Sequence, residues 1–171
     1  MKDLIQQARA DPGKLNFGTG TLTARLAGEL FKSLTGVDMV VVPYKGSAGT
    51  THGLLCNDVT FTLDGVPTSM PHIRSGIFRV LANLSLRPIA ALPDVPVLAR
   101  EPGLAGFDVS VWLGLLAPTG TPLDIVNKLH QEMVRILGLP EVKDKLALIG
   151  LDAGGTGPAG FSAFIRAESE R

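Results

Sequence analysis

Residues 15–34, LNFGTGTLTARLAGELFKSL, predict a short apolar strand, a glycine–threonine loop and an amphipathic helix. Gly18 and Gly20 allow the backbone to turn tightly between the strand and the helix. The helix is expected to begin at Thr21 or Leu22, so that its first N–H groups and a partial positive charge point into the space above the strand. The loop therefore predicts a site for an anion. A simple tight turn is the alternative interpretation.

The predicted helix carries an apolar face. Leucines recur at every fourth position of this helix: Leu22, Leu26, Leu30 and Leu34. Ala27 and Phe31 widen this row of leucines. Such periodicity is typical of a helix with one buried side. We expect the leucine face to pack on a sheet and to hold the loop in place.

The strand–loop–helix unit occurs twice more. Residues 39–43 form a β-branched run before the loop 44–48, and residues 59–63 alternate between apolar and polar before the loop 64–68. The strand–helix–strand order implies parallel strands, whose following loops lie at the edge where open α/β sheets bind ligands. The candidate ligand-binding residues at this edge are Gly18, Thr19, Gly20, Thr21, Lys45, Gly46, Ser47, Ala48 and Asp64.

Three of these side chains have a specific interpretation. Lys45 either attracts a carboxylate or stays solvated at the rim of its loop. Ser47 is a candidate N-cap, and the N–H groups of its neighbours would then face a ligand. Asp64 either accepts a hydrogen bond from an ammonium or hydroxyl group of a ligand or caps the helix that follows it.

Composition excludes several classes of partner. The chain has 171 residues, of which 45% are hydrophobic, enough for a sizeable core. Its 16 basic and 16 acidic residues cancel, which argues against nucleic acid or an anionic membrane surface as a partner. The longest apolar run, at residues 111–117, is far shorter than the roughly 20 residues of a membrane span. The single cysteine excludes an internal disulfide.

The remaining segments predict a mixed α/β chain. Residues 78–84 and 107–117 predict two further strands. Between them, the prolines of residues 85–106 predict an extended connector with at most short turns. Thr121 as N-cap and Pro122 at the first helical position predict the start of a long helix. Other helices are predicted at residues 3–10, 47–55, 67–75, 140–149 and 159–171.

Neither a catalytic site nor a metal site is predicted. His52, His72 and His130 lie on three different predicted helices without a cysteine or carboxylate at ligand spacing, so no metal is expected. Cys56 has no base nearby in the sequence and is expected to pack as a small hydrophobic residue. The chain contains no G-x-S-x-G elbow, P-loop or dinucleotide fingerprint. We therefore predict a binding protein without a cofactor rather than an enzyme.

Five short motifs follow one another along the chain: PGKL at 12–15, LAGELF at 26–31, VPYKG at 42–46, ALPDVP at 91–96 and WLGLLAP at 112–118. Together they resemble the Bug family, the periplasmic substrate-binding receptors of tripartite tricarboxylate transporters. The resemblance covers nearly the whole chain. It implies the α/β fold of type II periplasmic binding proteins, with a parallel-rich sheet and flanking helices in each of two lobes. A small carboxylate is clamped between the lobes of such receptors.

The resemblance also implies a division of the chain. Residues 1–108 correspond to the second lobe with its Pro-rich connector, and residues 109–171 to the C-terminal part of the first lobe, whose opening strands are absent. The implied function is a receptor fragment that delivers a small carboxylate to the membrane subunits of the transporter in the periplasm, although no signal peptide is visible. The alternative is a half-receptor remnant or sensory module that acts by ligand binding or self-association.

An incomplete lobe predicts a homo-oligomer, because an unpaired strand and an uncovered apolar face need a partner.

Three residues bear on how far the resemblance extends. Arg25 stands where related sequences usually have histidine, and Cys56 stands where glycine is common, so that packing or ligand choice is expected to differ. Trp112 is expected in the core or at the edge of a lobe, with a wall of the pocket as the alternative.

Overall fold

The computed structural model describes residues 1–170. Contacts between residues divide the chain into two compact units, Met1–Trp112 and a second unit that begins at Leu113. The first unit contains a three-stranded parallel sheet in the order β2-β1-β3. Its strands are β1 (Asn16–Thr19), β2 (Val40–Pro43) and β3 (Phe61–Thr62).

The helices of the first unit follow the predicted order. A helix begins directly after each strand, as the strand–loop–helix pattern requires. The 3₁₀ turn Leu98–Arg100 lies within the Pro-rich connector, which otherwise carries turns and bends. The helices are α1 (Lys2–Ala10), α2 (Leu22–Thr35), α3 (Gly46–Leu55) and α4 (Val66–Arg74).

Local signals fix both ends of α2. Thr21 is its N-cap, and the Thr21 hydroxyl oxygen accepts a hydrogen bond of 3.1 Å from the N–H group of Ala24. At the other end Gly36 adopts the left-handed conformation, with φ of 65°. Glycine occupies this position at low cost because it has no Cβ atom.

The core of the first unit centres on β1 and the inner side of α2. Phe17 is fully buried and stacks on Phe61 with ring centroids 5.5 Å apart. A Cβ atom on Gly28 would lie 2.1 Å from the Phe17 ring, so only glycine allows α2 to approach this closely. The connector contributes Leu98 and Leu104, both buried in the same cluster. Each such side chain stabilises the fold by about 1.5–3 kcal/mol through burial.

The prediction that one face of α2 packs on the sheet is confirmed for Ala27 and Phe31, which are buried, and is wrong for the leucines. Leu22 is 73% exposed and Leu26 is 61% exposed. Residues four apart advance by about 40° around a helix, so a row of leucines at that spacing winds away from any one face. The side that meets the sheet instead carries mostly small residues at mixed spacings of three and four. These buried residues are Ala24, Ala27, Gly28 and Phe31.

Two predicted strands do not form among residues 1–170. In segment 78–84 only Asn83 makes a bridge, to Val97, with the Asn83 N–H group donating to Pro96 at 2.8 Å. Segment 107–117 contains no strand, and each residue from 110 to 120 is exposed. An apolar sequence with strand-like alternation becomes a strand only where a neighbouring strand pairs with it. No strand of the described residues pairs with 107–117.

The second unit is helical, with α5 (Leu123–Gly138), α6 (Pro140–Leu148) and α7 (Pro158–Ser169). None of these helices contains a buried residue. Thr121 is not the N-cap of α5, because Pro122 occupies that position. The Thr121 hydroxyl instead donates to the carbonyl oxygen of Pro118 at 2.8 Å and closes a turn. The predicted end of the last helix, Arg171, lies outside the described residues.

Candidate functional site

Backbone hydrogen bonds join the loops after β1 and β2. The N–H group of Tyr44 donates to the Thr19 carbonyl oxygen at 2.8 Å, and the N–H group of Gly46 donates to the Gly20 carbonyl oxygen at 3.1 Å. These bonds continue the parallel pairing of the strands past their ends. The two loops therefore lie side by side at the carboxyl edge of the sheet.

Gly20 is essential to this contact. A Cβ atom at position 20 would lie 2.4 Å from the carbonyl carbon and oxygen of Gly46, and 2.5 Å from the hydroxyl oxygen of Thr50. The neighbouring atoms are mainly backbone, which cannot move aside as a flexible side chain does. The buried Thr50 hydroxyl donates to the same Gly46 carbonyl oxygen at 3.2 Å. The loop after β1 is thus held directly against the start of α3.

The loop after β3 joins the same edge through side chains. The Ser47 hydroxyl donates to Oδ1 of Asp64 at 2.7 Å, and the N–H group of Gly65 donates to the same oxygen at 2.8 Å. In β3, the Thr62 hydroxyl donates to the Gly18 carbonyl oxygen at 3.1 Å. All three loops predicted to share one edge of the sheet are therefore in contact there.

Two predicted caps differ from the structure. The N-cap of α3 is Lys45 rather than Ser47, and it makes no side-chain capping bond. The N-cap of α4 is Gly65 rather than Asp64, again without a side-chain cap. Ser47 and Asp64 bind each other instead, because the short serine hydroxyl reaches the carboxylate of the neighbouring loop.

The helices α2, α3 and α4 all begin at the carboxyl edge of the sheet. Their first N–H groups lack partners within the helix and carry a partial positive charge. In α2, the Thr21 side chain satisfies one of these groups, whereas no side chain caps α3 or α4. The N–H group of Gly46 already donates to the Gly20 carbonyl oxygen, so a bound anion would use the remaining N–H groups at these helix starts.

The candidate residues differ in exposure. Gly18 and Thr19 are buried, and a Cβ atom on Gly18 would lie 2.6 Å from the Thr50 methyl group, so these two residues form the floor under the loops. Oδ2 of Asp64 is buried and has no hydrogen-bond partner among residues 1–170. Accessible at the edge are Gly20, Thr21, Lys45, Gly46, Ser47 and Ala48, together with the rest of Asp64.

An open cavity of about 290 Å³ lies against the first two loops. The predicted site residues cover only part of its lining, although Arg25 was already expected to affect packing or ligand choice. Arg25 follows the N-cap Thr21 by one helical turn, a spacing that would have placed its guanidinium group near the loop. Leu22 and Pro43 add apolar surface, and Tyr44 lies between the two loops. The full lining is Thr19, Gly20, Thr21, Leu22, Arg25, Pro43 and Tyr44.

The sequence-based prediction for Cys56 is wrong, since this residue was expected to pack as a small hydrophobic side chain with no base nearby. Cys56 is exposed, and its sulfur lies 3.6 Å from Nε2 of His52, so a base is beside it after all. The two residues are four apart, which places them on one side of α3. Among residues 1–170, no group of three or more His, Cys, Asp or Glu side chains has the arrangement of a metal site.

The whole chain, residues 1–171, matches the family model described as tripartite tricarboxylate transporter family receptor. The chain belongs to this family. The resemblance found in the five motifs is thereby confirmed. Family members and structural neighbours are substrate-binding receptors rather than enzymes, in agreement with the predicted class. No helix among residues 1–170 is both long and apolar enough to cross a membrane.

Curated relatives include proteins about twice as long as this chain. A protein from the tcbD-tcbE intergenic region of Pseudomonas sp. is 34% identical over 171 residues, covering 98% of this chain and 51% of its own length. BugT of Bordetella pertussis is 34% identical over 170 residues, covering 98% and 52%. The chain thus spans about half the length of these relatives. A protein from the clcB-clcD intergenic region of Pseudomonas knackmussii is 38% identical over 143 residues, covering 83% of this chain and 84% of its own length.

Solved structures confirm the predicted fold class. A Rhodopseudomonas palustris protein solved with adipate is 36% identical, with a TM-score of 0.91 over 98% of this chain and 56% of its own. MatC of Rhodopseudomonas palustris, solved with bound malate, is 27% identical, with a TM-score of 0.88 over 100% of this chain and 60% of its own. The periplasmic binding protein BugD is 27% identical, with a TM-score of 0.87 over 98% and 57%.

Proposed function

We propose that this chain is part of a periplasmic solute-binding receptor for a small carboxylate, which it delivers to the membrane subunits of a tripartite transporter. The observation that carries the proposal is the meeting of three helix starts at one sheet edge, two of them without side-chain caps. Two relatives solved with the dicarboxylates adipate and malate support the ligand class.

In this proposal, backbone N–H groups at the starts of α2 and α3 bind one carboxylate of the ligand. Each hydrogen bond contributes about 0.5–1.5 kcal/mol net, and more with a charged acceptor. The guanidinium group of Arg25, which lines the cavity, adds attraction for an anion. A binding mode that spreads the charge over several donors does not require a dedicated ion pair.

Asp64 restricts how the ligand lies. Its carboxylate already accepts two hydrogen bonds through Oδ1, and its negative charge repels a ligand carboxylate placed beside it. A hydroxyl or ammonium group of the ligand is the favourable neighbour for Asp64, since either one donates a hydrogen bond. We therefore place the ligand carboxylate near Gly20 and Ala48 and any donor group near Asp64.

The assignment of residues 1–108 to one lobe and 109–171 to part of the other belongs to the same proposal. If each lobe of the receptor supplies about half of the contacts, one lobe retains about half of the binding free energy. A receptor with micromolar affinity has about 8 kcal/mol of binding free energy, and half of that would leave a dissociation constant in the millimolar range.

The test is an amide NMR titration of the full chain with malate and adipate, with the uncharged diamide of each acid as the matched control. We expect millimolar binding of the acids, with the largest shifts at residues 20–23 and 46–48, and no saturable shifts with the diamides. Shifts of equal size with the diamides would contradict carboxylate recognition. Saturable shifts confined to other segments would contradict the location.

A half-receptor that acts by self-association is the second candidate. Exposed apolar side chains in the second unit favour it, since Leu113 is 81% exposed and Leu115 is 64% exposed. Light scattering over a range of concentrations is the test. A dimer at micromolar concentration supports this candidate, and a monomer across the range contradicts it.

A further inference from the structure

The charge of Arg25 has no partner within the part of the chain that the structure describes. None of the ion pairs and none of the arginine side-chain hydrogen bonds among residues 1–170 involves its guanidinium group. Glu29 follows one helical turn later, at the spacing that brings two side chains of a helix together. Its carboxylate instead lies 3.6 Å from Nζ of Lys32. The guanidinium group of Arg25 is therefore available to an anion from outside the chain.

The position of Arg25 in α2 directs its side chain toward the proposed site. The N–H group of Arg25 donates to the Thr21 carbonyl oxygen at 3.1 Å, so the residue belongs to the first closed turn of the helix. The Cα–Cβ bonds of a helix tilt toward its N-terminus, and long side chains lean the same way. Arg25 accordingly lines the cavity together with Thr21 and Leu22, beside the loop that follows β1.

The positive charge of Arg25 lies at the unfavourable end of its helix. The start of a helix carries a partial positive charge, which stabilises anions and destabilises cations. The first turn of α2 contains no acidic residue that would offset either charge. An anion bound in the cavity would offset both charges at once. The arrangement therefore disfavours the empty chain and favours the chain with a bound anion.

The cavity combines two groups that attract anions with apolar surface. Backbone N–H groups at the start of α2 form one of these groups, and the Arg25 guanidinium forms the other. Leu22 and Pro43 line the same cavity and supply the apolar surface. A ligand with a carboxylate at each end and hydrocarbon between them matches this combination. A monocarboxylate would leave Arg25 without a partner.

We propose that Arg25 binds the second carboxylate of a dicarboxylate ligand and thereby determines a preference for dicarboxylates over monocarboxylates. This inference rests on the proposed function, which places the first carboxylate near Gly20 and Ala48. Arginine suits the role because its planar fork donates two parallel hydrogen bonds to one carboxylate. A lysine at position 25 would supply the charge without the fork.

The test is an NMR titration of the full chain with adipate and with hexanoate, which has the same number of carbon atoms but only one carboxylate. At low ionic strength, adipate should bind about fivefold more tightly than hexanoate, the upper range for an exposed ion pair. Both acids should shift the amides of residues 20–23. In Arg25→Gln the affinity for adipate should fall to about that of hexanoate, and the affinity for hexanoate should stay unchanged. Arg25→Lys should give an intermediate preference.

The outcomes separate this inference from the proposed function. Arg74→Gln is the matched control, since Arg74 is exposed at the end of α4 far from its start at the sheet edge, and both affinities should stay unchanged. In Arg25→Gln, an equal loss for both acids or no loss for either would overturn the role of Arg25 and leave the carboxylate site standing. The absence of saturable shifts with both acids would overturn both proposals.

Urea unfolding without ligand gives a second readout on Arg25. Arg25→Gln removes a cation from the start of α2, so the variant should be at least as stable as the natural chain. A clear loss of stability would show that Arg25 supports the fold, and it would overturn a role confined to the ligand.

Discussion

The two units of the chain differ in how they use amphipathic helices. The first unit, Met1–Trp112, contains every buried hydrophobic residue found among residues 1–170, with Phe17, Phe31 and Met39 near its centre. In the second unit, α5 carries apolar side chains at helical spacing, yet none is buried, and Leu129 is 47% exposed. Amphipathic periodicity therefore identifies a helix without identifying what covers it.

The largest expected effect is the loss of a core ring. Phe17→Ala should lower the free energy of unfolding by about 3–5 kcal/mol, because it removes a fully buried side chain and leaves a cavity. Leu129→Ala is the matched change on α5 and should cost less than about 1 kcal/mol, since its side chain is largely solvated already. Urea unfolding followed by circular dichroism measures both. Equal losses would show that the second unit has a core of its own.

Replacing a glycine with alanine should lower stability in the first unit and raise it in the second. Gly20→Ala should destabilise the chain by about 1–3 kcal/mol, because the added Cβ atom would collide with the Gly46 backbone. Gly138→Ala, at the last position of α5 with nothing within 4 Å, should stabilise that helix by about 0.5 kcal/mol. Thermal unfolding of the two variants shows whether each substitution raises or lowers the stability. A neutral Gly20→Ala variant would contradict the tight contact between the loops.

Two threonines placed before helices provide a smaller contrast. Thr21→Ala removes a capping bond and should cost about 1 kcal/mol. Thr121→Ala removes only a bond to the Pro118 carbonyl oxygen in an exposed turn, so its cost should be smaller, about 0.5 kcal/mol. Hydrogen exchange at the first amides of α2 and α5 reports on each helix separately. Equal protection losses would mean that Thr121 also acts as a cap.

The smallest expected effect concerns ligand binding. Lys45 is exposed, and an exposed charge contributes roughly 0–1 kcal/mol to pairing. Lys45→Ala should therefore weaken malate binding less than Gly20→Pro, which removes a backbone donor and distorts the loop. Calorimetric titration compares the two variants, with circular dichroism as the check on folding. A folded Gly20→Pro variant with unchanged affinity would contradict a role for the first loop.

The sequence predicted most accurately what neighbouring residues determine. The start of α2 was predicted at Thr21 or Leu22, and Leu22 is its first residue, because the signals that begin a helix act within one turn of the chain. The sharing of one sheet edge by the three loops was also predictable, since parallel strands require it. The contact between His52 and Cys56 could also have been predicted from the sequence, because a spacing of four on a helix places two side chains together.

The predictions failed where the structure depends on contacts between residues that are far apart in the sequence. The buried side of α2 is set by the close approach of Gly28 to Phe17, which leucine spacing does not reveal. Segment 107–117 has the composition of a strand, but pairing depends on a second segment that its own sequence does not specify. The bond between Ser47 and Asp64 joins residues 17 apart. Ser47 was therefore predicted to cap its own helix, and capping was one of the two roles expected of Asp64.

The close contact between Gly20 and Gly46 has a consequence for the entropy of binding. Two backbone hydrogen bonds already fix the first loop against the second, so both loops are ordered before any ligand arrives. Ordering one flexible residue costs about 1–2 kcal/mol, and a loop that is fixed beforehand avoids that loss when it binds. A small anion, which offers few contacts, gains most from such preorganisation.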